Sequence, residues 1–256
     1  MGELEGRIAI VTGGGRGIGF GIAQRLARAG AEVIIAEFNP ATGQEAVRSL
    51  TEQGLKAGFH ETDVRSPESV EALAESVRAH YGRIDILVNN AGLAAIGPTE
   101  TFPLDDWYRQ VDVMYHGVFL CMRAVGRIML DQGKGVILNI SSIAGLGAWP
   151  LRSAYDSAKA AVISLTENVG CEWARRGVRV VSVAPGVTRT AMLQQMVDEG
   201  IARLDQYNQR TPMGRVAEVE EIASVVQFLV SDRAKYITAT TVSVDGGWVA
   251  WGNLPY

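Results

Sequence analysis

Ile8-Ala-Ile-Val-Thr-Gly-Gly-Gly-Arg-Gly-Ile-Gly19 is a β-branched apolar run that passes through a glycine cluster into the helical pattern Ile18 to Arg28. A short run rich in Val and Ile reads as a strand, and apolar residues at three- and four-residue spacing read as a helix. Glycines between the two let the backbone turn tightly and let a pyrophosphate approach the helix amino terminus. The pattern is Thr-Gly-x-x-x-Gly-x-Gly. No frame of it gives Gly-x-Gly-x-x-Gly, and no Gly-Lys-Ser/Thr follows to make a P-loop.

Working outward, the same alternation runs to the end of the chain. Apolar runs at Ile8–Val11, Val33–Ala36, Ile84–Val88, Val136–Ile140, Val178–Val183 and Thr241–Val244, with a weaker one from Leu55 to His60, read as strands. Helical patterns lie between them at 18–28, 42–53, 67–80, 104–129, 154–175 and 219–229. Continuous apolar strands separated by helices indicate a parallel sheet covered on both faces. The expected fold is therefore α/β, a single-domain, Rossmann-like doubly wound sheet of about seven strands spanning 1–256, with ligands bound at the carboxyl ends of the strands. The segment 188–215 shows no strand and lies where an active-site lid is expected. The tail, about 248–256, is aromatic, and its two tryptophans and tyrosine would be costly left in water.

The composition limits the function classes. The chain has 256 residues, 47% of them hydrophobic and 20% charged, with a net charge of -4. This is an ordinary globular composition, with no electrostatic case for nucleic acid or an anionic membrane. Cys121 and Cys171 lie in apolar helical patterns, which predicts buried thiols in a reducing compartment. No metal-ligand cluster, leader pattern or uninterrupted membrane-spanning apolar run is visible, so a cytoplasmic location is expected.

Tyr155 and Lys159 are four residues apart on a predicted helix, one turn apart on one face, and Ser142 precedes Tyr155 by thirteen residues. A free phenol has a pKa of about 10, too high for acid–base work at neutral pH. A fixed positive charge nearby favours the phenolate and is expected to lower it. Such a group can exchange a proton with an alcohol or carbonyl oxygen that a serine hydroxyl holds.

These residues, together with the glycine turn, Asn89-Asn90-Ala91-Gly92 and Pro185-Gly186, resemble the short-chain dehydrogenase/reductase family, from Gly6 to Gly247. The resemblance implies a nicotinamide dinucleotide cofactor. Gly13, Arg16, Gly17, Ile18 and Gly19 would make the diphosphate turn, and Asp63 and Val64 would contact adenine. Asn90, Ala91, Gly92, Pro185, Gly186, Thr188 and Thr190 would line the rest of the cofactor site, with Thr190 on the carboxamide. Ser142 would polarise the substrate oxygen, Tyr155 would act as general acid or base, and Lys159 would bind the nicotinamide ribose and tune Tyr155. Ser141 is expected to bond backbone instead. Many relatives carry an asparagine where this chain has Met114. A thioether cannot make amide hydrogen bonds, but the main-chain carbonyl that holds the relay water in the family is retained.

Glu37, at the end of the second predicted strand, can accept both adenosine ribose hydroxyls and would repel a 2′-phosphate. With Phe38 beside it, the expected cofactor is NAD, although Arg16 suits a 2′-phosphate. Ala94, Ile143, Trp149 and Met192 are the expected substrate contacts, and their apolar character favours a neutral secondary alcohol or ketone, including a sugar alcohol. A homotetramer is the family default, and the resemblance implies that the tail, about 248–256, packs at a subunit interface. The rival readings are an NADPH-dependent 3-oxoacyl reductase and a catalytically silent dinucleotide-binding protein.

Overall fold

The computed structural model describes residues 2–252. Its elements run β1 (Ile8–Thr12), α1 (Gly17–Arg28), β2 (Glu32–Glu37), α2 (Pro40–Glu52), β3 (Ala57–Glu61), α3 (Pro67–Tyr81) and β4 (Ile86–Asn89). There follow α4 (Leu104–Val111), a π-helical turn (Asp112–His116), α5 (Gly117–Gln132), β5 (Gly135–Ile140), α6 (Ser153–Trp173) and β6 (Val178–Pro185). The last part holds β7 (Thr188–Arg189), α7 (Ala191–Asp198), α8 (Leu204–Arg210), β8 (Ala217–Glu218), α9 (Val219–Val230) and β9 (Thr240–Val244). Seven strands form one parallel sheet in the order β3-β2-β1-β4-β5-β6-β9. The order reverses direction between β1 and β4, and the crevice outside that switch point is where such sheets bind ligands.

Alternate residues of each apolar strand feed two separate cores. Ala9, Val11, Val33, Ile35, Val88 and Leu138 pack against α1, α2 and α9. Ile8, Ile10, Ile34, Leu87, Ile137 and Val180 face α3, α5 and α6. With both faces covered, a strand gains from an apolar residue at every position, which is why the runs read as continuous rather than alternating. Ser66 and Asn39 cap α3 and α2 by accepting from Ser69 N and Thr42 N.

Three expectations are corrected. The predicted helix over 104–129 is two α-helices joined by the π-turn, in which Gly117 N donates to Asp112 O. This stretch is apolar and long enough to cross a bilayer, but half of its most apolar window is buried inside the fold. The segment 188–215 is not free of strand: Thr188 and Arg189 pair with Ala217 and Glu218 in a two-residue parallel ladder, too short to leave a periodic signal. Cys121 is buried and Cys171 is exposed, because position 171 lies on the outer face of α6. Of the expected interface tail, residues 253–256 lie outside the described residues.

One polar chain crosses the sheet core. Asn89 Nδ2 donates to Asn139 Oδ1 at 2.8 Å, Asn139 Nδ2 donates to Thr166 Oγ1 at 2.9 Å, and Thr166 Oγ1 donates to Val162 O at 2.7 Å. It ties β4 and β5 to the middle of α6. Asn139→Leu nearly preserves volume but strips Asn89 and Thr166 of their partner, so it should destabilise by about 1–3 kcal/mol. The Asn89→Leu/Asn139→Leu pair should lose less than the sum of the two single changes. Thermal melts of the four proteins check both statements, and additive losses would show that the bond contributes nothing.

Candidate active site

The glycine turn is held by β4. Thr12 Oγ1 accepts from Asn90 N at 3.0 Å and Ala91 N at 3.1 Å, while Asn90 Nδ2 donates to Thr12 O and Gly13 O, both at 3.0 Å. A Cβ on Gly19 would lie 2.2 Å from Gly13 O and 2.3 Å from Asn90 Nδ2, so only glycine permits this closure. Gly17 differs. Its φ is +57°, and a Cβ there would meet only the Thr190 methyl at 3.8 Å, so the turn leaves open space toward the start of α7. The N-cap of α1, Arg16, makes no side-chain cap, and the first turn carries no acidic residue. Uncapped N–H groups and the positive end of the helix dipole facing open space fit a diphosphate. The residues present therefore fit a dinucleotide.

Glu37 ends β2 beside this turn. Its Oε2 accepts from Gly15 N at 3.3 Å, and its Oε1 accepts from Phe38 N at 3.0 Å and Asn39 N at 3.3 Å. Phe38 is 62% exposed, with the Arg65 guanidinium 5.6 Å from its ring centroid. Arg65 also grips Asp63 in a forked pair, with Nη2 2.7 Å from Oδ2, and this hydrogen-bonded pairing holds the Asp63 carboxyl below its usual range. Val64 is buried against Gly117. Arg16 is exposed, and Ile18 packs on the core.

The proposed chemical groups converge at the ends of β5 and α6. Ser142 begins a 3₁₀ turn, Ile143–Gly145, and its Oγ accepts from Ala144 N at 3.1 Å. A Cβ on Gly145 would lie 2.8 Å from the Lys159 carbonyl, so glycine lets this turn rest directly on the α6 backbone. Ser141 Oγ instead donates to Val183 O at 3.1 Å. Lys159 is 4% exposed, and its Nζ donates to Ile140 O at 2.8 Å while lying over the Tyr155 ring, 5.8 Å from its centroid. Burial pulls its pKa from 10.5 down to about 8. Burial also pushes the Tyr155 phenol above its ordinary value, countered in part by the neighbouring Ser142 hydroxyl and the charge of Arg152. The four-residue spacing does bring the Lys159 ammonium over the Tyr155 ring. Desolvation is the largest influence on this phenol, and the charges that act on it are those of Arg152, which lowers its pKa, and Asp156, which raises it.

Met114 sits in the π-turn with no exposed surface, its sulfur 3.8 Å from the Cβ position of Gly92. The helix distortion is therefore present without an asparagine side chain. His116 Nδ1 pairs with Asp112 Oδ1 at 2.8 Å on the exposed surface. On the far side of the crevice, Gly186 N donates to Val244 O, and Thr188 Oγ1 donates to Gly186 O. Thr190 caps α7 by accepting from Leu193 N at 3.2 Å.

Of the expected substrate contacts, Met192 is 49% exposed, Ala94 is exposed and Trp149 is half-buried, whereas Ile143 is buried at 3% and offers little surface. The sequence reading missed what Trp149 touches. Its indole stacks on Trp248 at 5.1 Å and 17°, and Tyr207 of α8 lies 6.4 Å from both rings. The Arg152 guanidinium covers Trp149 at 5.2 Å and that of Arg210 covers Trp248 at 4.7 Å. Trp248, the first residue of the tail expected at a subunit interface, makes this stack within its own chain. Gly246 and Gly247 take φ of +62° and +90°, and Asp245 accepts from Gly247 N and Val249 N to close that turn. Aromatic residues this far apart in the chain carry no pattern that announces their contact.

Comparison with known proteins places these features in context. A family profile described as enoyl-(acyl carrier protein) reductase matches residues 13–249. D-threitol dehydrogenase of Mycolicibacterium smegmatis is 38% identical over 248 residues, covering 96% of this chain and 94% of the relative. A gluconate 5-dehydrogenase from Burkholderia cenocepacia, solved with NADP and tartrate, superposes with a TM-score of 0.92 at 36% identity, covering 97% of each chain. An NAD+-bound xylitol dehydrogenase superposes with a TM-score of 0.90 at 31% identity, covering 95% of this chain and 99% of that one.

The buried ammonium of Lys159 gives a pH signature. Its folded pKa of about 8 lies below the ordinary 10.5, so between those values the unfolded chain binds more protons and stability rises with pH. Below about 8 its full cost applies, on the order of 3 kcal/mol at 1.36 kcal/mol per unit. Without cofactor, the stability of the parent relative to Lys159→Met should therefore climb across this window. Denaturant titrations of both proteins at several pH values check it, and a difference independent of pH would contradict the buried charge.

Proposed function

Because the chain belongs to the short-chain dehydrogenase/reductase family, we propose that it is an NAD-dependent oxidoreductase acting on a secondary alcohol or ketone, with a sugar alcohol or another hydroxy compound as the favoured class. The observation that carries the cofactor choice is Glu37. Three backbone N–H groups fix its carboxylate at the edge of the glycine turn, where the adenosine ribose of a cofactor seated in the turn has its hydroxyls. A carboxylate held there favours two hydroxyls over a phosphate dianion. The half-buried aromatic and apolar surroundings of Ser142 and Tyr155 support a neutral substrate, and the sugar-alcohol relative supports a polyol.

When bound, a nicotinamide accepts or supplies the hydride. The chain's own groups handle everything else. Ser142 Oγ holds the substrate oxygen, and the Tyr155 hydroxyl passes a proton to or from that oxygen. Lys159, fixed to Ile140 O, has two further N–H donors for the ribose hydroxyls and for a proton-conducting water. Gly13, Gly17 and Gly19 shape the diphosphate turn, with Asn90, Ala91 and Gly92 behind it. Pro185, Gly186, Thr188 and Thr190 close the nicotinamide end, and Asp63 and Val64 the adenine end. We place the enzyme in the cytoplasm as a homotetramer, with Leu104, Tyr108 and Phe119, respectively 67%, 57% and 49% exposed, available to a second copy.

A second reading, an NADPH-dependent 3-oxoacyl reductase, draws support from the acyl-carrier-protein family description, the NADP-bound neighbour and the exposed Arg16. Steady-state kcat/KM with both cofactors across a panel of polyols, hydroxy compounds and 3-oxoacyl thioesters separates the two. NAD should win, and Glu37→Ala should narrow the gap; a preference for NADP sinks the assignment. Tyr155→Phe should cut kcat by about a hundredfold or more while cofactor binding persists. A variant keeping a tenth of the parent rate would remove Tyr155 from the proton path, and the silent-binder reading requires a parent that turns over nothing.

A further inference from the structure

Arg152 breaks the rules of the position it holds. It is the N-cap of α6, the 21-residue helix that carries Tyr155 and Lys159, and its side chain makes no cap hydrogen bond. Asn, Asp, Ser and Thr are the residues that stabilise an N-cap, and a cation at the positive end of a helix dipole is disfavoured. The residue before it, Leu151, takes a φ of +70°, one of two non-glycine residues with positive φ among the described residues. Such strain persists only where the surroundings enforce it. Here Leu151 O accepts from Gly97 N at 2.9 Å, and Trp149 N donates to Asp156 Oδ2 at 2.8 Å, so the turn is tied down on both sides. Neither the strain nor the arginine serves stability, and departures of this kind mark functional positions.

The guanidinium is uncommitted. Arg152 is half-buried. Among the described residues its side chain lies over the Trp149 indole, 5.2 Å from the ring centroid, but makes no ion pair or hydrogen bond. Its positive charge favours the ionised forms of both Tyr155 and Asp156, so it lies within electrostatic reach of the proposed proton donor. A guanidinium carries five N–H donors around its edge, and one that lies over an aromatic face keeps them free for acceptors. Asp156 Oδ1, for its part, is buried without a hydrogen-bond partner. Beside Tyr155 the fold thus presents unused donors, an indole face and an unmatched acceptor. A hydroxyl group both donates and accepts, whereas a substrate carboxylate would meet the charge of Asp156. The combination suits a neutral chain of hydroxyls.

We propose that Arg152 determines specificity in the candidate site: its guanidinium, carried on the Trp149 indole, donates to substrate hydroxyls beyond the reacting carbon and so selects polyols over alcohols whose remaining chain is bare hydrocarbon. A bare chain laid over Arg152 takes water from its donors and returns no hydrogen bond. The inference rests on the proposed dehydrogenase reading and gives its substrate class a recognising residue.

The test compares the parent with Arg152→Ser and Arg152→Lys on polyols of four to six carbons and on secondary alkanols of the same lengths. The readout is the ratio of kcat/KM for polyol over alkanol, because a change in the Tyr155 phenol acts on both substrates alike and cancels. Arg152→Ser should lower that ratio by about tenfold or more, through loss of hydrogen bonds to a charged group. Arg152→Lys, which keeps the charge without the flat fork, should recover only a small part of it. The Arg152→Ser protein should also melt above the parent, since serine caps the helix and the cation is gone. An unchanged ratio overturns the proposal, and so does a variant that melts below the parent, since Arg152 would then be there for stability. A parent preference for hydroxy carboxylates that Arg152→Ser abolishes would assign the guanidinium to an anion and overturns the polyol class. A parent inactive with every alcohol and ketone refutes the dehydrogenase reading instead. Calorimetric titration of the same polyols into the parent and Arg152→Ser then decides for Arg152: binding weakened about tenfold in the variant is expected, and equal binding overturns the proposal.

Discussion

The knot of hydrogen bonds between Thr12 and Asn90 holds together the carboxyl edge of the sheet, because it locks the end of β1 to the end of β4 at the point where strand order reverses. With β1 and β4 joined there, the backbone of the glycine turn is anchored from below. Its upper side and the bare amino terminus of α1 stay turned toward the crevice. Asn90 does this with one side chain that binds two successive carbonyls, a geometry that needs the absence of a Cβ at Gly19. The glycines of the turn therefore act in different ways: Gly19 permits close packing, and Gly17 permits a left-handed backbone beside open space.

The proposed catalytic face is assembled at an energetic cost that the rest of the fold must offset. Lys159 is almost wholly buried with one backbone acceptor, and Tyr155 is held neutral by desolvation. Neither arrangement stabilises the protein by itself. Two well-filled cores and the Asn89–Asn139–Thr166 chain provide the margin, and the polar chain also fixes α6 against the strands that bear Ser142. Functional sites of this kind hold strained or desolvated groups that a stability optimum would remove.

The sheet was legible in the sequence because a strand covered on both faces writes itself as a continuous apolar run, and the helices between such runs follow from their spacing. The positions of Tyr155, Lys159 and Ser142 were legible from their intervals and from the family resemblance. Other features left no such trace. The π-turn at 112–116 has no period of its own, so it was absorbed into one long helix. The pairing of Thr188–Arg189 with Ala217–Glu218 is too short to show alternation. Gln110 is fully buried, a depth invisible next to Arg109 and Asp112, whose charges make that stretch look like a surface. The pKa of Tyr155 depends chiefly on its burial, which the four-residue spacing does not specify.

The guanidinium–indole column from Arg152 through Trp149 and Trp248 to Arg210 joins three parts of the chain: the start of the catalytic helix, the C-terminal turn and α8. Flat groups stacked in series slide more readily than they separate, since sliding retains much of the contact while parting exposes both faces to water. A displacement of α8 would thereby be steered along the plane of the indoles, and under the proposed reading a substrate lying against Trp149 would press on the same stack. On that reading, a substrate's shape and the path by which its product escapes would be read by one set of rings. Altering the bulk of any ring in the column would then change the timing of release together with the choice of substrate.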